Sequence, residues 1–399
     1  MRRWLQFFII TDQIRTCGVK SGTNRQDDMT VIFDVIIWLA IVTVVGLTVL
    51  PSLRIAHGFV RGGDFPRQQL LVIALFLVPV VWLVGLPGQG FAWLLLVAAT
   101  GVQVFHIGRY LPVWRSQSVE PCAQDDLAED RMISLLAANV KLSNREYSYL
   151  VDLARDRQPD ILMALETDQA WCDALEDLSD IYPYRNAFPL DTGYGMKILS
   201  RHEISDATFV ERVVEKVPSF NATVTLPSGD AFRLHVVHPE PPVPHHSTEG
   251  RDAELAHVAF EVRNETLPVI VSGDLNDVAW SITTRRFQKI SGLLDPRVGR
   301  GFYNSFSARS SLMRWPLDHL FHSAEFRIVD MGRWPDIMSD HYPMYFKLLL
   351  TPTEEVEAAP EKADAEEKAE AKEMIEDEQA DDREAIGSDW EDEEEKEKS

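Results

Sequence analysis

Val269-Ile270-Val271-Ser272-Gly273-Asp274-Leu275-Asn276 reads as a buried β-strand that ends on chemistry. Three β-branched residues in a row suit a strand covered on both faces. The run closes on a carboxylate, with an amide two residues further on. If the strand continues through both, alternation puts Asp274 and Asn276 on one face, about 6–7 Å apart. The competing reading is an Asx turn that closes the strand, and Asp277 suits that reading better. On one face, Asp274 would align and deprotonate a water while Asn276 donates to a phosphate oxygen.

Other islands repeat the design. The apolar run 161–165 ends on Glu166, and the run 132–138 ends on Asn139. Late in the chain, Pro316-Leu317-Asp318-His319 precedes Ser339-Asp340-His341. A carboxylate at the mouth of a buried strand is costly to desolvate unless a cation or donor meets it. Glu166 is therefore the first candidate metal ligand, against the plainer reading of an acidic residue at a helix N-terminus. Asp340 is a second candidate ligand. Neighbours on an extended chain point apart, so His341 has a separate task at a phosphate, with Asp318 as the carboxylate that holds its ring. His319 reads as structural. His238 ends a strand beside the stiff Pro239-Glu240-Pro241-Pro242-Val243-Pro244 loop, placed to protonate a leaving oxygen. Asn139 is a candidate for touching metal or phosphate. Carboxylates for a hard cation, joined by Asn and His for an anion, suit metal-assisted hydrolysis of a phosphate ester.

Around these islands the chain alternates. Strands are expected at 132–138, 161–165, 196–199, 221–226, 232–237, 268–272 and 316–321. Helices are expected after Ser143 as a cap, with Tyr147, Leu150, Val151 and Ala154 on one face, at 168–178, and at 249–262. Strands with interspersed helices argue an α/β or α+β sandwich of two helix-covered sheets. A Walker-type phosphate loop, Cys/His zinc spacing and a Gly-x-Ser-x-Gly elbow are missing.

The 399-residue chain is 45% apolar with a net charge of −23. Residues 353–399 hold 22 acidic against 6 basic residues, a net of −16, so the remainder is only mildly acidic. Few large apolar residues occur in that tail, so residues 351–399 read as a disordered acidic extension, with docking to a basic partner as the sharper alternative. Cys17, Cys122 and Cys172 share no metal spacing.

No charged residue falls in 35–53 or in 68–108, runs of 19 and 41 residues. A span needs about 20 apolar residues, so these runs predict one transmembrane helix and then two, with Leu86-Pro87-Gly88-Gln89-Gly90 as the turn between them. The divisions are a leader (1–29), a membrane region (30–108), a linker (109–130), a soluble domain (131–350) and the tail (351–399). Positive residues tie five against five across the membrane, and a start at Met29 would tip them toward a cytoplasmic domain. A multi-pass protein of the cell (inner) membrane is expected, with its sidedness open.

Taken in order, Ala138-Asn139-Val140, Pro159-Asp160-Ile161-Leu162 through Glu166, Gly195-Met196-Lys197-Ile198-Leu199-Ser200-Arg201, His238-Pro239, Gly273-Asp274-Leu275-Asn276, Leu317-Asp318-His319 and Ser339-Asp340-His341 resemble the endonuclease/exonuclease/phosphatase (DNase I-like) superfamily. With three spans ahead, the chain is similar to its bacterial membrane-anchored members. The resemblance covers about residues 131–350. It implies a four-layer α/β/β/α sandwich and a Mg²⁺ or Mn²⁺ site. It implies Glu166 as principal ligand assisted by Asn139 and Asp340, Asp274 at the water, Asn276 at the phosphate, and His341 with Asp318 facing the pentavalent charge. A His at 238 is found in nuclease-type and sphingomyelinase-type members, where abasic-site enzymes carry Tyr.

The expected activity is a membrane-anchored, metal-dependent phosphoesterase acting by in-line water attack. Nucleic acid, a lipid headgroup and a small diester are the candidate substrates. Arg285, Arg286, Lys289, Arg297, Arg300 and Arg309, bracketed by Trp280 and Trp315, form either a solvated face or a phosphate-binding rim. The alternative function is an inactive membrane scaffold that recruits basic partners through its tail.

Overall fold

The long apolar runs become paired strands in the computed structural model, which describes residues 23–388 apart from 123, 124, 126, 352, 354 and 355. The strands are β1 (Met132–Asn139), β2 (Ile161–Leu165), β3 (Tyr184–Phe188), β4 (Met196–Ser200), β5 (Glu203–Glu211), β6 (Pro218–Thr225), β7 (Ala231–Val236), β8 (Val269–Asp274), β9 (Asp318–His322), β10 (Phe326–Arg333) and β11 (Met344–Leu350). The helices are α1 (Thr23–Val49), α2 (Gly58–Arg61), α3 (Arg67–Val84), α4 (Gln89–Ile107), α5 (Tyr147–Arg157), α6 (Gln169–Leu175), α7 (Glu249–Arg263), α8 (Ile282–Ser291) and α9 (Ala365–Ala380).

One sheet runs β10-β11-β1-β2-β4-β3 and the other β5-β6-β7-β8-β9. Alternation splits each central strand between two cores. From β1 and β2, Ile133, Leu135, Ile161 and Met163 face Phe220, Ala222, Leu234 and Ile270 of the other sheet. Their neighbours Leu136, Ala138, Leu162 and Ala164 turn outward onto Leu150, Ala154, Trp171 and Leu175 of α5 and α6. Val271 and Phe321 turn outward onto α7 and α8. The result is a four-layer α/β/β/α sandwich, and burial on both faces explains why the central strands read as unbroken apolar runs. β1–β2 and β7–β8 are parallel pairs crossed over by α5 and α7, so the ends of β1, β2 and β8 open at the same edge.

Several expected details differ. α5 begins at Tyr147 with Glu146 at its N-cap and no side-chain cap, so Ser143 does not start it. β8 stops at Asp274, and Asn276 takes a left-handed backbone with φ 51°, which ends alternation there. The Asn276 N–H donates to Asp274 Oδ1 at 2.8 Å, so Asp274 itself makes the Asx turn. The 109–130 segment is no free linker: Gln117 and Ser118 are buried, and the Ile328 N–H donates to Val119 O at 2.9 Å. Within the acidic tail, α9 packs on the α7–α8 layer through Ala371 and Ile375 instead of remaining disordered.

Three helical segments are long and apolar enough to cross a membrane: Asp28–Leu53, Arg67–Val84 and Gln89–Tyr110. They pack on one another through Ile41, Val44, Ala74, Val81, Ala92 and Leu96. The loop between α1 and α3 folds onto the sandwich, where the Trp280 indole N–H donates to Asp64 O at 2.7 Å. Residues 1–22, which include most of the leader, lie outside the described residues, as does Cys17.

Candidate active site

Five of the eight expected site residues line one cavity of about 280 Å³: Glu166, His238, Asn276, Asp340 and His341. The other three, Asn139, Asp274 and Asp318, are buried beside them. The ends of β1 and β2 bring Asn139 to Glu166, and the Asn139 amide donates to Glu166 Oε1 at 2.6 Å and to Asp274 Oδ2 at 3.1 Å. Backbone geometry allows β8 to pass here. Gly273 sits at φ 145°, and a Cβ at that position would lie 2.0 Å from Val237 O.

His341 lies between two carboxylates. Its Nδ1 is 2.8 Å from Asp318 Oδ2, and its Nε2 is 3.5 Å from Asp274 Oδ2. Burial opposes the imidazolium, but Asp318 and Asp274 outweigh it and raise the His341 pKa to about 10. Burial raises Asp274 above the usual carboxylate range, against the opposing pull of His341. Asp274, Asp318 and His341 each offer a ligand atom within 4.8 Å of the others. That trio already carries its own cation in His341.

The Glu166 side of the cavity differs. Burial pushes the Glu166 pKa up to about 7, although the Asn139 amide and the Leu142 N–H both donate to it. Asp340 faces the same cavity and adds to the negative charge. Lys141 Nζ is 3.4 Å from Asp340 Oδ2. A desolvated carboxylate beside a second one, with amide and backbone oxygens near, is a donor set suited to a hard divalent ion. Glu166 also has φ 61°, a left-handed backbone that non-glycine residues seldom adopt.

His238 is fully buried, its Nδ1 has no hydrogen-bond partner, and burial lowers its pKa. The Asn276 amide donates to Pro239 O at 2.9 Å. His319 is structural as expected, placed between Arg297 and Asp277 O. The basic run does not form one rim. Arg297 is buried against Asp295, Arg300 faces Glu120, Arg309 pairs with Asp336, and Arg285, Arg286 and Lys289 face Glu361, Glu367 and Glu370 of the tail.

Sequence reading missed several cavity residues. Tyr194, Phe306, Ile386 and Gly387 all line it. The last two arrive because Arg383 donates to both oxygens of buried Glu240 at 2.7 Å, and the Ile386 N–H donates to Glu240 Oε1 at 2.8 Å. Tyr194 Oη donates to Ile386 O. A buried Glu inside a Pro-rich loop was the one available signal. Arg251 was also missed: it donates to Asn276 O at 3.1 Å and braces the turn after β8.

Among solved structures, the chain is similar to a humanized D. rerio TDP2, at 17% identity and TM-score 0.47, covering 55% of this chain and 99% of that one. A Beutenbergia cavernae endonuclease/exonuclease/phosphatase matches at 17% identity and TM-score 0.46, covering 55% and 72%. The human Nocturnin catalytic domain matches at 16% identity and TM-score 0.46, covering 57% and 96%. No curated protein matches. The family model described as endonuclease/exonuclease/phosphatase matches residues 136–341, which begin inside β1 and end on His341. That interval takes in every one of the eight site residues, and the chain belongs to the endonuclease/exonuclease/phosphatase family.

Proposed function

We propose that this protein is a membrane-anchored phosphoesterase that uses a divalent metal ion and hydrolyses a phosphate ester by in-line attack of water. The observation that carries the reading is the Asp318–His341–Asp274 array meeting Asn139 and Glu166 around one cavity. The three apolar helices support anchoring by length and composition.

Glu166 and Asp340, with Asn139 beside them, would hold Mg²⁺ or Mn²⁺. Such an ion supplies Lewis-acid neutralisation of phosphate charge. The chain's own residues do the rest. Asp274 orients the attacking water and takes its proton as the water oxygen bonds to phosphorus. The ester P–O bond opposite breaks, and the leaving oxygen takes a proton from solvent water. His341, held as imidazolium by Asp318, donates to a non-bridging oxygen and stabilises the charge of the five-coordinate state. Asn276 binds the phosphate from the turn that Arg251 braces. Burial keeps His238 neutral, so it offers an N–H to the leaving oxygen.

Asp274→Ala tests the reading. The full chain in detergent is assayed on bis-p-nitrophenyl phosphate with Mg²⁺ or Mn²⁺, and the variant is expected to lose on the order of 10²–10⁴-fold in kcat. Turnover within a few-fold of the parent would remove Asp274 from the chemistry. The acidic tail gives a scaffold reading little support, because Glu361, Glu367 and Glu370 face basic residues of α8 in the same chain.

A further inference from the structure

A second, larger hollow of about 1210 Å³ lies between the first turns of α3 and the loops beside His341. One wall is Val72 and Ile73, which belong to an apolar span and are 66% and 42% exposed. The facing lip is Leu312 and Met313, at 78% and 52% exposed. Exposed apolar side chains gathered in this way mark a binding surface more often than chance scatter does.

The loop carrying that lip is tied at both ends. Near its tip, the Gln69 amide donates to Leu312 O at 2.6 Å, which holds the lip against the start of the α3 span. At its base, the Ala308 N–H donates to Asp340 O at 2.6 Å, and the Phe306 ring lies 4.9 Å from the His341 ring. One loop thus joins the apolar span to the candidate active site.

The lining of the hollow also carries charge. Tyr342 follows His341, and the guanidiniums of Arg314 and Arg333 lie 5.1 and 5.3 Å from its ring centroid. Arg314 donates to the carbonyls of Ser307 and Ser310, and Arg333 to that of Asn304. Neither has a carboxylate within ion-pair distance among the described residues. Two cations without a paired carboxylate, lining the same hollow as these apolar side chains, complement an anionic head on an apolar chain.

We infer that this groove admits a membrane lipid whose headgroup contains the phosphodiester to be cleaved. The acyl chain lies along Val72, Ile73, Leu312 and Met313. The head lies at Arg314 and Arg333, against Tyr342, the residue that follows His341. A nucleic acid fits less well, since base stacking needs a free aromatic face. Trp334 is already stacked on Tyr345 with centroids 4.5 Å apart, and Tyr342 is covered by the two guanidiniums. The assignment rests on the phosphoesterase reading above and names the substrate of that same site.

The test compares three substrates on the full chain: phosphatidylglycerol in mixed phosphatidylcholine vesicles, a single-stranded oligonucleotide and bis-p-nitrophenyl phosphate. Each is assayed with Mg²⁺ and Mn²⁺. The protein is the parent or the double variant Leu312→Ser/Met313→Ser, whose surface sites leave the core intact. The expected result is turnover of vesicle lipid above that of oligonucleotide. The ratio of vesicle lipid to bis-p-nitrophenyl phosphate turnover should fall at least about tenfold in the variant. An unchanged ratio, or cleavage of oligonucleotide without lipid, overturns the lipid assignment and leaves the hydrolase reading standing. No turnover of any of the three overturns both.

Discussion

His341 is held as a cation by geometry rather than by solvent. Burial alone would neutralise it, yet Asp318 at 2.8 Å and Asp274 at 3.5 Å raise its pKa to about 10. In the proposed reaction His341 would therefore depend on Asp318, which holds the ring's orientation and its charge. Asp318→Asn keeps the shape and removes the charge, so kcat on a small diester should fall on the order of 10²–10⁴-fold while thermal stability changes little. Loss of less than about threefold would mean that the Asp318–His341 pair does not act in catalysis. At this scale the sequence was informative where chemistry is local or paired by type. Asp318 was assigned to His341 from the logic of Asp–His pairs, across 23 residues. The backbone was not legible: nothing in Leu275-Asn276 announces φ 51°, and nothing near Glu166 announces φ 61°. Arg251 and Glu240 were hidden for another reason. Each meets its partner through tertiary contact across 25 or more residues, and a lone charge in a helix or loop carries no trace of that.

Most inner strands were readable and most edge strands were not, with two exceptions: the edge strand β9 is buried and was legible at 316–321, while the inner strand β11 was missed. β1, β2 and β8 are mostly apolar because helices cover one side and the opposite sheet the other. β3 and β5 are edge strands, largely exposed and mixed in composition, and give almost no periodic signal. α9 was hidden by its acidity. Only Ala371 and Ile375 of its apolar residues are buried, yet they reach the layer formed by α7 and α8, and the capping box of Asp364 and Glu367 starts the helix. Placing a charge there should release it: Ile375→Asp is expected to cost about 2–3 kcal/mol locally. Amide exchange across α9 should accelerate while β1 and β2 stay protected. Unchanged exchange in α9 would show that the helix does not depend on this contact.

Across the whole molecule, the three apolar helices and the sandwich pack on one another rather than being joined by a tether. Ile107 and Tyr110 enter the same apolar cluster as Val278, Trp280, Val298 and Leu317, and Tyr110 Oη donates to Ala279 O at 2.5 Å. The α1–α3 loop adds buried ion pairs, Arg67 with Asp64 and Arg61 with Asp252. A fragment beginning at Arg131 would expose Trp280 and remove Arg61 from Asp252, which keeps Arg251, so it should melt lower or aggregate relative to the full chain in detergent. Equal melting temperatures would show that these contacts contribute nothing to the fold. The sequence marked the spans by their freedom from charge, but the boundary at 109–130 read as a linker because its burial comes entirely from surfaces supplied by distant residues. The central claim is that residues from Asn139 to His341 converge on one pocket that works with a divalent ion. The most direct measurement is hydrolysis of bis-p-nitrophenyl phosphate by the full chain in EDTA, followed by readdition of excess Mg²⁺ or Mn²⁺. Chelation is expected to abolish turnover and readdition of the ion to restore it, whereas an undiminished rate in EDTA would mean that the pocket works without a divalent ion.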